Sequence, residues 1–124
     1  MAGFKDLKAY QKAFELAMDI FQVSKSFPPE EKYSLTDQIR RSSRSVAVNI
    51  AEGYRKRRYQ AYFISKLIDC DGENSETQAW LDFALACGYL EKDVVTNLII
   101  KSDEVGRILS YMISNPEKFG SIKN

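Results

Sequence analysis

Arginine and lysine side chains are concentrated in one part of this 124-residue chain. From Arg40 to Lys66 there are eight basic residues and one acidic residue, a net charge of +7, whereas the segment from Asp69 to Glu104 has nine acids and two lysines, a net charge of −7. The whole chain carries only +1, which argues against indiscriminate attraction to polyanions. A local basic block on a nearly neutral chain is typical of a surface that binds phosphate groups.

Part of this block is a continuous basic run at residues 55–58, flanked by tyrosines. Arginines beside aromatic rings can bind phosphate while the rings stack on bases. Like charges packed in a turn repel one another unless an anion neutralises them, which favours a polyanion as the ligand of this run. The candidate nucleic-acid-binding residues are therefore Arg40, Arg41, Arg44, Arg55, Lys56, Arg57, Arg58 and Tyr59.

A different interpretation gives the arginines a structural role. Asp69, Glu73 and Glu76 are spaced by four and three residues, so they share one stripe of a helix. Ion pairs between this stripe and Arg40, Arg41 or Arg44, within one subunit or between subunits, would neutralise the basic block without any ligand. The sequence leaves both interpretations open.

The residue types that most catalysis needs are missing. The chain has no histidine, which removes the commonest general base and transition-metal ligand and excludes the Glu-x-x-His motif of di-iron bundles. A magnesium site made of Asp69, Glu73 and Glu76 is conceivable, although a solvated face or ion pairs are favoured. Cys70 and Cys87 lack a histidine partner and are too far apart on one helix to form a disulfide. We expect no enzyme activity, no metal and no cofactor.

The elements that position these residues are predicted to be helices, because apolar residues recur at spacings of three and four. Short connections between consecutive helices predict an all-α fold, an antiparallel up-down-up-down four-helix bundle. We expect a single domain over residues 1–124 with a loose tail at 116–124. The predicted helices cover about residues 6–26, 34–52, 59–86 and 91–114.

Several predicted helices have apolar residues on two faces. On helix one the predicted core stripe is Leu7, Tyr10, Phe14, Met18 and Phe21, and a second stripe contains Leu16, Ile20 and Val23. On helix three an outward seam of mostly small residues is made of Ile68, Gly72, Ser75, Ala79 and Phe83. The second faces indicate either a broad core or surfaces that bind a partner. We favour a homo-oligomer.

The location of the protein is predicted from the absence of a membrane-spanning run and of a signal segment. The longest apolar runs are far shorter than the ~20 residues that cross a bilayer, and the first residues contain a charge pair in place of an apolar signal segment. Two unpaired cysteines suit a reducing compartment. The sequence therefore predicts a cytoplasmic protein without membrane contact.

Several segments resemble the 23S rRNA intervening sequence protein family. They are Phe4 to Leu7, Gln38 to Arg41 leading to Asn49 through Gly53, Glu73 to Thr77, and Cys87 to Leu90; the family's usual proline before the asparagine is replaced here by Ala47. The resemblance implies a small bacterial four-helix-bundle protein that forms a homopentameric ring and has no enzyme activity. Relatives in diversity-generating retroelements act as nucleic-acid-binding accessory subunits of a reverse transcriptase.

Two functions follow as competing hypotheses. The first is a non-enzymatic oligomer associated with RNA or DNA. The alternative is a protein-interaction scaffold or accessory subunit that binds a partner polypeptide, with its basic residues used in inter-subunit salt bridges.

Overall fold

Four long helices make up most of the computed structural model, which describes residues 3–122. Three short 3-10 helices accompany them, at Phe4–Asp6, Pro29–Glu31 and Pro116–Phe119. None of the helices within residues 3–122 combines the length and the apolar character that crossing a bilayer needs. The long helices are α1 (Lys8–Ser24), α2 (Leu35–Arg55), α3 (Gln60–Ala86) and α4 (Lys92–Ser114).

The four helices form a closed bundle whose neighbours run in opposite directions. Each helix packs against the next, and α1 also packs against α4. One apolar cluster joins the beginnings of α1 and α3 to the ends of α2 and α4, through residues such as Ala9, Ile50, Phe63 and Met112. A second cluster joins the opposite ends of the same helices. The predicted all-α four-helix bundle is confirmed.

Two helix boundaries that matter for the surface have clear local causes. At the start of α2, Glu31 accepts hydrogen bonds from the Leu35 amide (3.2 Å) and the Ser34 hydroxyl (2.6 Å), which satisfies donors that the first helical turn leaves free. At the end of α3, Gly88 has a φ of +77°, and the amide of Tyr89 donates back to the carbonyl of Ala84 at 2.9 Å. A left-handed glycine with this bonding pattern ends a helix efficiently.

The inner face of α1 differs from the predicted one. Phe14 is 52% exposed and Met18 is 42% exposed, so the predicted core stripe is wrong at these positions, and Leu16 and Ile20, which the sequence placed on a second face, are buried. The inner face is made mainly of small residues, and Ala9 and Ala13 share an apolar cluster with Ala47 of α2. Its buried residues are Ala9, Ala13, Leu16, Ala17, Ile20 and Ser24.

A buried polar layer separates the two apolar clusters. Ser42 of α2 and Thr77 of α3 share a hydrogen bond of 2.8 Å. Asn74 of α3 and Ser102 of α4 exchange two hydrogen bonds of 2.9 Å each. Because a buried polar group that loses its partner is costly, this layer favours one register of α3 against its neighbours. The outer face of α2 is thereby held in a fixed orientation.

The C-terminal segment is folded onto the bundle. Pro116 and Ser121 are buried, and Phe119 packs against the first apolar cluster. The backbone of Ile122 forms a parallel bridge with Tyr59. The prediction of a loose tail is therefore wrong for residues 116–122, because apolar side chains anchor them; residues 123–124 lie outside the described part of the chain.

Candidate nucleic-acid interface

The structure divides the predicted binding residues between two surfaces. Arg40, Arg41 and Arg44 lie in the first half of α2. The other five candidates lie at or just beyond its C-terminal end, and at a rise of 1.5 Å per residue Arg40 and Arg55 are about 22 Å apart along the helix axis. We call the first surface the α2 groove and residues 55–58 the basic turn.

The α2 groove carries charges of both signs. It has a volume of about 710 Å³ and is bordered on its α3 side by Glu73 and Glu76. Asp37 adds a third carboxylate. These acids nearly balance the four basic residues that line the groove, Lys32, Arg40, Arg41 and Arg44. A surface of mixed charge attracts a polyanion much less than the linear count of arginines suggests.

An aromatic ring on α1 positions several cations at the edge of this groove. The guanidinium of Arg40 lies 4.8 Å from the centre of the Phe21 ring, and that of Arg44 lies 5.6 Å from it. The ammonium of Lys25 approaches the same ring to 4.8 Å. Arg40 is also fixed by a 2.8 Å hydrogen bond from its Nε to Ser24 Oγ. Phe21, which the sequence placed in the core, therefore serves as a cation-binding platform at the surface; its spacing of four from Lys25 is the signal that could have indicated this.

The basic turn presents most of its charges to solvent. Arg55, Lys56 and Arg58 are exposed, and the neighbouring Tyr59 is 62% exposed. The ammonium of Lys56 lies 4.9 Å from the centre of the Tyr62 ring. This contact positions the lysine side chain but does not neutralise its charge. Cations and an accessible ring thus occur together at this end of the bundle.

Arg57 is the exception within the basic turn. Its guanidinium stacks 4.1 Å from the centre of the Tyr54 ring and donates a 3.0 Å hydrogen bond to the Tyr54 carbonyl. The C-terminal segment covers it: Gly120 has a φ of +92°, and a Cβ at this position would lie 2.9 Å from Arg57 Nε. Arg57 thus has partners inside the chain and supports the turn from within.

The arginines do not pair with the chain's own carboxylates. Within residues 3–122, no arginine nitrogen lies within 4.0 Å of a carboxylate oxygen. The alternative interpretation, in which Arg40, Arg41 or Arg44 pairs with the acidic stripe of α3, therefore has no salt bridge to support it within one chain, and its inter-subunit form stays a hypothesis. The ion pairs within residues 3–122 are all made by lysines: Lys12 with Glu104, Lys66 with Glu52, and Lys101 with both Glu15 and Asp19.

Lys66, the last cation of the basic block, is neutralised. Its ammonium lies 3.2 Å from the Glu52 carboxylate, which also accepts a 2.6 Å hydrogen bond from the Tyr62 hydroxyl. These two donors hold the pKa of Glu52 below its usual value, and the bond to Glu52 raises the pKa of Lys66. The free charge at this end of the bundle therefore comes from the basic turn.

In the acidic stripe of α3, the ionised form of Glu73 is electrostatically unfavourable. Burial raises the pKa of Glu73, and the negative charge of Glu76 raises it further. Among residues 3–122, no three acidic or thiol side chains converge as ligands for a metal ion. The hypothesis of a magnesium site at Asp69, Glu73 and Glu76 therefore lacks support from the geometry.

Both cysteine thiols in the described chain are free. Cys70 is buried in the first apolar cluster, and burial raises the pKa of its thiol to about 12. At neutral pH this thiol stays protonated and is a poor nucleophile. Cys87 is exposed at the end of α3.

Comparison with known proteins places the chain in a family. The profile of the 23S rRNA-intervening sequence protein matches residues 5–111. A solved structure with the same fold is a protein of unknown function from the S23 ribosomal protein family of Bacteroides thetaiotaomicron VPI-5482. It is 27% identical, the alignment covers 86% of this chain and 95% of that one, and the TM-score is 0.77. No curated protein matches. The resemblance seen in the sequence is confirmed: the chain belongs to the 23S rRNA-intervening sequence protein family.

Proposed function

We propose that this protein binds RNA or DNA without catalysing a reaction, and that it does so as a homo-oligomer. The basic turn supports this most directly. Arg55 and Arg58 are exposed, have no carboxylate of the described chain within 4.0 Å, and precede the exposed Tyr59 in the same turn. Guanidinium groups bind phosphate oxygens in pairs, and a tyrosine ring stacks on an unpaired base.

The basic turn suits this role better than the α2 groove. Within residues 3–122 its exposed cations form no salt bridge, whereas the α2 groove has Glu73 and Glu76 in the same lining as its arginines. Affinity for nucleic acid depends on how many phosphates are neutralised, so uncompensated cations contribute most.

Self-association is supported by apolar side chains that the bundle leaves outside. Phe14 and Met18 are exposed on α1, and Ile68 (55%) is exposed on the outward seam of α3. Apolar faces of this kind mark protein contacts. An oligomer would present several basic turns at once, so weak single sites would add through avidity. The five-membered ring that the family resemblance implies stays a prediction.

The test is a titration of labelled single-stranded RNA and DNA over a salt series, followed by fluorescence anisotropy. Plots of log affinity against log salt should be linear, with a slope of about −0.7 for each phosphate neutralised on a single strand. The double variant Arg55→Gln/Arg58→Gln should flatten the slope by about 1.4.

Lys8→Gln/Lys92→Gln is the matched control, because it removes the same charge at exposed positions on other helices. Equal losses in the two double variants would mean that net charge alone drives binding, which contradicts the assignment to the basic turn. Absence of binding at low salt by the intact oligomer would contradict the proposed function itself and favour a scaffold that binds only polypeptides.

A further inference from the structure

A second groove lies where the start of α2 meets the end of α3, and aromatic side chains line much of it. It has a volume of about 570 Å³, and we call it the aromatic groove. Its lining includes Glu31, Tyr33, Gln38, Trp80, Phe83 and Cys87.

Three rings border the groove, and two of them are highly accessible. Tyr33 is 84% exposed and Phe83 is 57% exposed. The rings of Trp80 and Phe83 have centres 5.8 Å apart and are tilted by 40°. Such exposure is unfavourable for large aromatic side chains unless something covers them.

Glu31 is the charged residue of this lining, and its charge has no cationic partner in the described chain. Its carboxylate accepts hydrogen bonds from the Ser34 hydroxyl, the Leu35 amide and the Tyr89 hydroxyl (2.8 Å). All three donors are neutral, and no basic nitrogen of residues 3–122 lies within 4.0 Å of it. These bonds lower the pKa of Glu31, so it stays ionised at neutral pH.

Aromatic rings and a carboxylate that line the same groove form an environment that attracts cations. Ring faces attract ammonium and guanidinium groups, and the carboxylate adds a charge-assisted hydrogen bond. Tyr33 already shows this attraction on its α2-groove side, where the ammonium of Lys32 lies 5.3 Å from the centre of the Tyr33 ring. A planar guanidinium can stack on a ring and bond a carboxylate at the same time.

The neighbouring surface indicates what kind of molecule carries the cation. Tyr33 and Gln38 line both the aromatic groove and the α2 groove, so the two are continuous. The α2 groove contains arginines and carboxylates together. A chain that leaves the aromatic groove along this path meets charges of both signs, which suits a polypeptide of mixed charge and repels part of a nucleic-acid backbone.

We propose that the aromatic groove binds an arginine side chain of a partner polypeptide. The arginine stacks on Tyr33 and Phe83 while its guanidinium donates to Glu31. This proposal is independent of nucleic-acid binding, because the basic turn lies at the opposite end of α2.

Trp80 provides a direct test because it is the one tryptophan of the chain and it lines the groove. The probe is an acetylated and amidated Gly-Arg-Gly peptide, and its neutral control has citrulline in place of arginine. We expect the arginine peptide to produce a saturable change in Trp80 fluorescence and the citrulline peptide to bind at least about fivefold more weakly.

Single substitutions show which residues bind the arginine peptide. Tyr33→Ala and Phe83→Ala should each weaken binding of the arginine peptide about two- to fivefold, and Glu31→Gln should weaken it further while its side-chain oxygen can still cap α2. Tyr59→Ala, an exposed tyrosine at the other end of the bundle, should leave it unchanged. Circular dichroism melts identify any variant that fails to fold. Because Tyr33 is highly exposed, we expect Tyr33→Ala to fold, and its affinity decides the result if another variant does not.

Three results would overturn the proposal. One is equal binding of the arginine and citrulline peptides, and another is wild-type affinity in the folded Tyr33→Ala and Phe83→Ala variants. The third is dissociation of an oligomer by Glu31→Gln or Tyr33→Ala in light scattering, which would assign the groove to a second copy of the chain. Retained nucleic-acid binding in these variants would show that the two surfaces are separate.

Discussion

The two ends of α2 use arginine in different ways. Near its start, Arg40 is held by Phe21 and Ser24, and carboxylates line the same groove. At its end, Arg55 and Arg58 are exposed beside an accessible tyrosine, and Arg57 alone is held by the chain. The comparison teaches that a basic block in a sequence is a poor measure of a binding site, because local partners decide which cations stay free for a ligand.

The largest expected effect is on the affinity for single-stranded RNA, when charge is removed from each end of α2 in turn. Arg55→Gln/Arg58→Gln should weaken binding of single-stranded RNA about tenfold or more at physiological salt, since two phosphate contacts are lost. Arg41→Gln/Arg44→Gln removes the same charge from the α2 groove and should weaken binding less than about threefold. Anisotropy titrations at one salt concentration measure the affinity of both double variants. A larger loss of affinity for Arg41→Gln/Arg44→Gln would make the α2 groove, and not the basic turn, the main binding surface.

A second prediction concerns the C-terminal support of the basic turn. Gly120→Ala should lower the free energy of unfolding by about 1–2 kcal/mol, because the left-handed backbone strains any residue with a Cβ. The added methyl group would also meet Arg57 Nε at 2.9 Å. Urea denaturation measures the loss. Gly3→Ala, at a position with open space around it, is the control and should change stability little.

The third prediction contrasts an anchored arginine with a free one. Arg40→Ala removes the hydrogen bond to Ser24 and the contact with Phe21, so we expect it to cost about 1 kcal/mol of unfolding free energy. Arg55→Ala removes an exposed side chain without these contacts and should change stability by less than about 0.5 kcal/mol. Equal effects in urea denaturation would show that the anchoring of Arg40 adds nothing to stability.

Much of the fold could be predicted because helical spacing is a strong local signal. Leu98, Val105 and Leu109 are spaced by seven and four residues within predicted helix four and are buried, as are Phe63 and Leu67 in α3. The face of α1 was assigned wrongly because hydrophobicity favours Phe14 over Ala13, whereas close packing of two helices favours the smaller residue. Large apolar residues therefore do not always mark the core of a bundle with small-residue contacts.

The candidate site could be predicted only in part for a related reason. The basic turn is continuous in sequence, so its composition was visible. Arg57 is covered by Gly120, and the partners of Arg40 lie on α1; these contacts join distant segments that a linear pattern does not connect. The aromatic groove likewise combines Glu31 and Tyr33 with Trp80 and Phe83, and only the packing of α2 on α3 brings them together.

The smallest expected effect tests the acidic wall that distinguishes the α2 groove from the basic turn. Burial and Glu76 raise the pKa of Glu73 in the folded state above its unfolded value. Its contribution to stability is therefore complete below the unfolded pKa and is lost as the pH rises through the folded pKa. At pH 7 the charged Glu73 is unfavourable, so Glu73→Gln should raise the urea midpoint there.

This gain should shrink as the pH falls and the wild-type carboxyl becomes protonated. Glu30→Gln, at an exposed position outside the groove, is the control for the loss of one carboxylate. If inter-subunit pairing with arginine neutralises Glu73 in an oligomer, Glu73→Gln would instead destabilise the protein at pH 7 and weaken its self-association. The sign of the change at neutral pH therefore distinguishes an acidic wall that repels nucleic acid from one that holds a second subunit.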